Sequence, residues 1–413
     1  MKFLNEVESV DNIIIQPVLV GGDINCYSVA RAYHEAYGVK SIAFGRYALG
    51  ATKDSNIIDF RIDERITEEK EFIDVLLKTA DELAAPNKKL IIMGCTDEYA
   101  ELIIDHRDIL KEKYIVPYIG KELKDKLIEK ELFYKMCEEK GLDYPKTFIY
   151  SKGDEIKDFG FKYPVIIKPS DSVLYWQFPF EGMKKAYIAQ NETEFKEITN
   201  SIYAGKYDKN LIIQDFIPGD DSHMRVLTCY SDQHGKVKMM CLGHVLLEEH
   251  TPKGIGNHAA IITEYDKDLM EKFKAFLEDI NYTGFSNFDI KFDSRDNTYK
   301  VFEINLRQGR SNYYVTSSGN NIARYVVEDR VYNKELDLKI QKDPFFWHVI
   351  PKNVVYKYVK DQALVNKAKS LVAQGKSATS FGYDKDLKGN FKRSLYILLY
   401  NINQMRKFKK YCK

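Results

Sequence analysis

The 413-residue sequence predicts an α/β fold. A parallel β-α-β layer opens the chain, a region of paired strands follows, and a helical segment closes it. Three observations carry this reading. Residues 13–20 are an apolar run ending in Gly21-Gly22-Asp23; a helical pattern over 27–37 and a second apolar run over 41–44 come next, the order of a parallel sheet. Residues 285–293 and 301–307 are two apolar and aromatic runs, and the polar stretch 294–298 between them, with its Asp296-Asn297 pair, suits a hairpin loop. From Lys392 to Lys413 there are seven Lys or Arg and no Asp or Glu, alongside an apolar run over 395–402. That is the pattern of a basic amphipathic helix.

The other elements follow in order. Residues 90–95 read as another buried strand, and Thr96-Asp97-Glu98 cap the helix after it. The full G-x-G-x-x-G fingerprint is absent, so Gly21-Gly22-Asp23 reads as a substrate-facing loop at the sheet's C-terminal edge rather than a dinucleotide site. Residues 123–140 read as one helix ending at Gly141, and 147–149 as a short strand. An apolar strand over 163–169 ends in Lys168-Pro169. The loop from Ser170 to Tyr187 is polar at its ends and contains Gly182; such a loop can fold over phosphates and exclude water. Residues 211–221 form a strand broken by Pro218-Gly219, 224–230 and 237–247 are further strands, and 321–331 is helical. There are no internal repeats and no low-complexity tract.

Composition narrows the function classes. Lys plus Arg number 62 against 61 Asp plus Glu, which gives no case for wholesale nucleic-acid binding. The six cysteines are scattered with no C-x-x-C pair, as expected in a reducing cytosol. Residues 1–6 turn acidic at once, unlike a signal peptide, and no run reaches the length of a membrane-spanning helix. A cytoplasmic protein is expected.

Chemistry concentrates on the hairpin. Glu303 and Asn305 lie two apart on a strand and share a face, and pairing with 285–293 brings Asp289 alongside. Two carboxylates and an amide oxygen make a hard, oxygen-only site suited to Mg²⁺, with positions left free for phosphates. Lys168 at a strand end and Lys126 in the entry helix suit phosphate oxygens. Gln214 and the backbone from Ile213 to Gly219 suit an adenine edge, and Asp221 suits ribose hydroxyls. Arg307 and Arg310 would hold a carboxylate or an acyl phosphate, with Gly309 allowing close backbone approach. The histidines show no zinc-ligand spacing; His244, His250 and His258 are candidates to deprotonate an amine.

This order of parts, an entry-helix lysine, a K-P strand end, a hinge with I-P-G-D-D, an Asp and then E-x-N-x-R, resembles the ATP-grasp superfamily of carboxylate–amine ligases. The resemblance covers roughly residues 120–320. It implies a pre-ATP-grasp domain over 1–118, and a two-lobed α+β ATP-grasp domain over 119–330 with antiparallel sheets and a lid lobe near 145–218. A C-terminal extension with the basic tail covers 331–413. It implies that Lys126, Lys168 and Lys184 contact ATP phosphates, that Gln214, Asp215 and Ile217 form the adenine hinge, and that Asp221 holds the ribose. Asp289, Glu303 and Asn305 would hold Mg²⁺, with Mn²⁺ as a substitute, and Arg307 would stand by the reacting phosphate. One departure is the loop Ser170-Asp171-Ser172-Val173-Leu174-Tyr175-Trp176, which is glycine-rich in the superfamily; Lys184 and Lys185 are placed to substitute.

Within the superfamily, residues 18–31 and the K-P-S-D-S run look most like bacterial D-aspartate ligases, which attach D-aspartate to the lysine of a peptidoglycan precursor. The implied partners are ATP, an amino-acid carboxylate and an amine acceptor such as a UDP-linked muropeptide. A weak peripheral membrane contact through the basic tail is a further expectation. The alternatives are a ligase for free amino acids or small peptides, and a non-catalytic ATP-binding regulator.

Overall fold

The computed structural model describes residues 13–155, 158–171, 174–175, 177–251 and 254–412. Residues 1–6, Ser172, Val173 and Trp176 of the expected phosphate loop, and Lys413 of the tail lie outside the described residues.

A four-stranded parallel sheet forms first, from β1 (Ile14–Val20), β2 (Ser41–Gly45), β3 (Ile58–Ile62) and β4 (Lys88–Gly94), in the order β3-β2-β1-β4. The expected strand at 13–20 and helix at 27–37 are β1 and the helix Ile24–Tyr37. That helix begins three residues earlier because Asp23 caps it, its Oδ1 accepting from the backbone N–H groups of Asn25 and Cys26. Thr96 caps the helix Asp97–Asp105 in the same way, through Tyr99 N–H at 3.3 Å. Both helices start at the C-terminal edge of the sheet, so both N-termini point at one place.

Next comes an antiparallel sheet of β5 (Thr147–Tyr150), β6 (Val165–Pro169), β7 (Tyr187–Ala189) and β8 (Leu211–Asp215), ordered β5-β8-β6-β7. It encloses its own core, in which Val165, Ile167, Leu211 and Ile213 pack with Phe195, Ile202 and Tyr207. Strand alternation puts those apolar side chains on one face and Ile166, Lys168, Ile212 and Gln214 on the other.

The third sheet has eight strands among the described residues: β9 (Met224–Ser231), β10 (Val237–Glu248), β11 (His258–Glu264), β12 (Gly284–Asp293), β13 (Thr298–Asn305), β14 (Lys339–Ile340), β15 (Phe346–His348) and β16 (Ser377–Thr379). The β12–β13 pair is antiparallel, and residues past 331 complete the sheet through β14 on β10 and β15 on β11. One face packs with the helix Ile24–Tyr37, Trp347 and the C-terminal helix Phe391–Tyr411; the other packs with the helix Lys267–Asp279 and the far side of the parallel sheet.

The expected single helix over 123–140 is two. Lys121–Ile128 stops at Glu129, whose extended backbone (φ −75°, ψ 113°) precedes Lys130–Glu139. The break matters because it re-aims the side chains that follow.

Candidate active site

The second and third sheets face each other across a cleft, and β12–β13 form its floor. Their register pairs Asp289 with Glu303 and Asn287 with Asn305, with an irregularity just after Asp289. Asp289, Glu303 and Asn305 are therefore neighbours on one half-buried wall. Asn305 Nδ2 donates to Asp289 Oδ2 at 3.3 Å, and its Oδ1 accepts from Arg307 Nη2 at 3.4 Å. Turning that amide over would bring its oxygen to the carboxylates. Burial raises the Asp289 pKa, and the charge of Glu303 beside it adds to the rise. Lys130 acts in the opposite sense on Glu303 and holds it well below the ordinary carboxylate range. Two carboxylates crowded together in this way fit a divalent cation, which would relieve their repulsion. Among the described residues no group of three or more His, Cys, Asp or Glu could hold a metal, so the candidate set is two carboxylates and an amide.

Lys168 Nζ donates to Gln214 Oε1 at 3.2 Å and stands 5.4 Å from the centre of the Phe302 ring, at the edge of the Asp289–Glu303 wall. Burial first, then the charge of Lys130, lower its pKa to about 8. Lys130 reaches Glu303 Oε2 at 3.4 Å. Lys130 is not legible as a cleft residue in the sequence, where 123–140 has the pattern of one continuous helix. The break at Glu129 turns Lys130 toward the cleft, while Lys126 lies on an exposed face, paired with Glu122 of its own helix at 2.7 Å. Lys126 is thus outside the cluster, and Lys130 belongs to it. Lys184 is similarly displaced: it is exposed, its backbone tied to the Tyr187 and Tyr175 hydroxyls, whereas the charge of Lys185 reaches both Lys168 and Glu303.

The expected adenine hinge divides. Gln214 is buried, and its amide N–H groups go to Tyr134 Oη at 2.9 Å and Thr147 Oγ1 at 3.1 Å. Its side chain is therefore occupied in positioning Lys168. Asp215 forms a paired contact with Arg295 at 3.1 and 2.6 Å, which ties the second sheet to the β12–β13 hairpin. Asp215 and Ile217 line a cleft of about 420 Å³ together with Tyr144, Lys146, Tyr163 and Arg295; Lys168, Asp289 and Glu303 are not among its walls. Asp221 Oδ2 accepts from Glu248 N–H at 2.9 Å and His250 Nε2 at 2.8 Å. Glu248 beside it is raised to about 7 by burial and by the Asp221 charge.

At the other end of the wall the parallel sheet contributes. Arg307 is 9% exposed and donates to Asp97 Oδ2 at 2.9 Å, at the helix start that Thr96 caps. Its Nη1 is buried with no hydrogen-bond partner, a donor left for an anion. Arg310 reaches Glu249 at 3.2 Å and Asp23 at 3.9 Å. Gly309, at φ +77°, makes this turn, and a Cβ there would come within 2.7 Å of the Asn287 amide. Asn25, Gln308 and Asn312 lock the three segments together: Gln308 and Asn312 both donate to Asn25 Oδ1, at 2.9 and 2.8 Å, and Asn25 donates to the Cys95 carbonyl at 2.8 Å. Of the histidines, His244 is held by the Ser222 carbonyl and Glu264 and His250 by Asp221; His258 is buried and lowered to about 4 by burial and the Arg310 charge.

No protein-family model matches the chain. It is 41% identical over 416 residues to the D-aspartate ligase of Enterococcus faecium (strain Aus0004), covering 98% of each chain. Its fold is similar to that of N5-carboxyaminoimidazole ribonucleotide synthetase in an ADP complex (TM-score 0.58, 13% identity, 88% of each chain). It is also similar to an L-amino acid ligase from Bacillus licheniformis (TM-score 0.56, 14% identity, 79% of this chain and 75% of that one).

Proposed function

The chain belongs to the D-aspartate ligase family and is an ATP-dependent carbon–nitrogen ligase, and on that premise we propose that it joins D-aspartate to the lysine amine of a peptidoglycan precursor. The observation that carries the reading is the single line of groups along the cleft: Lys130 and Lys168, then Asp289, Glu303 and Asn305, then Arg307 and Arg310. Lysines suited to phosphates, oxygen donors suited to a hard cation and guanidinium groups suited to a carboxylate, met in that order, support the reading.

A carboxylate oxygen of the amino acid attacks the γ-phosphorus of ATP, and the bond from that phosphorus to the β,γ-bridging oxygen breaks to release ADP. The amine nitrogen then attacks the acyl carbon; phosphate leaves with the C–O electron pair, and the amine gives up a proton. The chemistry needs placed charge more than a protein nucleophile. Lys130, Lys168 and Lys185 offset the phosphate charge from one side, and Arg307 Nη1 meets the acyl phosphate from the other. Asp289, Glu303 and Asn305 would hold Mg²⁺, which supplies charge neutralisation on phosphate oxygens when bound; Mn²⁺ would fit the same oxygen donors. The Asp215 carbonyl and the Ile217 backbone would meet the adenine edge, the Asp215 N–H being held by the Lys146 carbonyl, and Asp221 keeps Oδ1 for the ribose. We place the reaction in the cytoplasm, where ATP is present and where the free cysteines stay reduced.

The test is ADP release with a panel of D- and L-amino acids, with and without a lysine-containing muropeptide nucleotide. Release that needs both D-aspartate and the muropeptide supports the reading. A preference for another carboxylate, or for free amino acids as acceptors, overturns it.

A further inference from the structure

The C-terminal helix Phe391–Tyr411 has two unlike faces. Inward, Arg393, Gln404 and Phe408 are buried, and Tyr396, Ile397 and Tyr400 pack against the core. Outward, Phe391 is 78% exposed, Leu395 43%, Leu398 56%, Leu399 55% and Met405 38%. Residues 391, 395, 398, 402 and 405 keep the spacing of one helix face. Six of the 17 exposed large hydrophobic side chains among the described residues fall on this 21-residue helix, so the stripe is a local concentration rather than ordinary surface scatter. Arg406, Lys409 and Lys410 are exposed at its end, and the helix contains no acidic residue.

From this juxtaposition we infer that the helix Phe391–Tyr411 lies flat on an anionic lipid surface, its apolar stripe in the headgroup layer and its basic end on lipid phosphates. Charge decides between occupants. A second copy meeting this patch about a two-fold axis would set the basic helix against itself, which repels. A negatively charged bilayer complements both features at once. Among the described residues no helix is long and apolar enough to cross a membrane, so contact is confined to the surface. The inner face of the helix meets the cleft: the Phe408 ring is 6.5 Å from that of His250, and Gln404 and Phe408 border Glu249. A docked protein therefore holds the Arg310 end of the cleft about one helix diameter, roughly 10 Å, from the lipid. The docking itself does not depend on which amino acid the cleft ligates.

The experiment is co-sedimentation of the full chain with vesicles of phosphatidylglycerol and phosphatidylcholine mixed, against phosphatidylcholine alone, at low and high salt. Binding to the anionic vesicles alone, weakened by salt, is expected. The triple variant Leu395→Gln, Leu398→Gln, Leu399→Gln should lose tenfold or more in binding. The variant Arg406→Gln, Lys409→Gln, Lys410→Gln should lose on the order of a hundredfold at low salt. Both should keep wild-type thermal unfolding and ADP release, since the changed side chains are exposed. No pelleting of wild type with anionic vesicles at low salt overturns the inference. So does equal pelleting of wild type and both variants, or a concentration-dependent dimer that the Leu variant abolishes while vesicle binding is absent.

Discussion

Lys168 should make nucleotide binding depend on pH in a window where most ligand phosphates are silent. In the free protein its pKa is lowered to about 8, first by burial and then by the Lys130 charge. A phosphate brought against Lys168 favours the ammonium, so binding raises that pKa. Below pH 8 the lysine is already charged and binding needs no proton. Above pH 8 each binding event must take one up, and affinity falls up to tenfold per pH unit. At pH 9 about one free molecule in ten carries the charge. Calorimetric titration of ADP with Mg²⁺ at pH 7, 8 and 9, in two buffers of different ionisation enthalpy, reads proton uptake directly. The uptake of wild type minus that of Lys168→Met should rise from near zero at pH 7 toward one at pH 9. Protons that Mg²⁺ displaces from the raised Asp289 carboxyl are common to both proteins, and Lys168→Met should also weaken binding. The nucleotide's own phosphate titrates near pH 6 and stays out of this window. Uptake that is the same in wild type and Lys168→Met would show that Lys168 does not meet the phosphates.

Lys130→Met should lower turnover by on the order of a hundredfold, while Lys126→Met should leave it near wild type, because only Lys130 reaches Glu303; steady-state kinetics on both decides which lysine serves. Glu303→Gln should abolish turnover with the fold intact and raise the Mg²⁺ concentration needed for nucleotide binding; near-normal activity at moderate Mg²⁺ would remove the metal assignment. Arg393 is fully buried, 2.9 Å from an equally buried Asp386 that also accepts from Tyr27, Ser55 and Asn56. Arg393→Ala leaves that carboxylate uncompensated and should cost ~3–5 kcal/mol in denaturant unfolding. Gly309→Ala places a methyl on the Asn287 amide; kcat should fall more than thermal stability if this turn sets Arg307.

The strands β1, β2, β4, β5, β6, β8, β9, β10, β12 and β13 were legible in the sequence because each depends on local patterns, whereas β3, β7, β11 and β14–β16 were not read there. Alternation put Glu303 and Asn305 on one face, and the short polar loop made a hairpin of the two runs, so Asp289 opposite Glu303 followed from register. The K-P strand end and the capping residue Thr96 are equally local signals. What the sequence did not decide was the aim of side chains across long separations. Lys126 and Lys130 sit one turn apart in a lysine-rich stretch, and only the backbone break at Glu129 separates solvent from cleft. Gln214 looked like an adenine contact, but Tyr134 and Thr147, brought in by other elements, take its donors. The basic amphipathic pattern of 392–413 left open which face of the helix packs on the body. Arg393 holds the carbonyls of Gly50 and Ala51, and with Tyr400 and Phe408 it turns the other side of the helix inward, leaving Leu395, Leu398 and Leu399 exposed. Periodicity says which residues share a face; only the partners available in three dimensions say which face is buried.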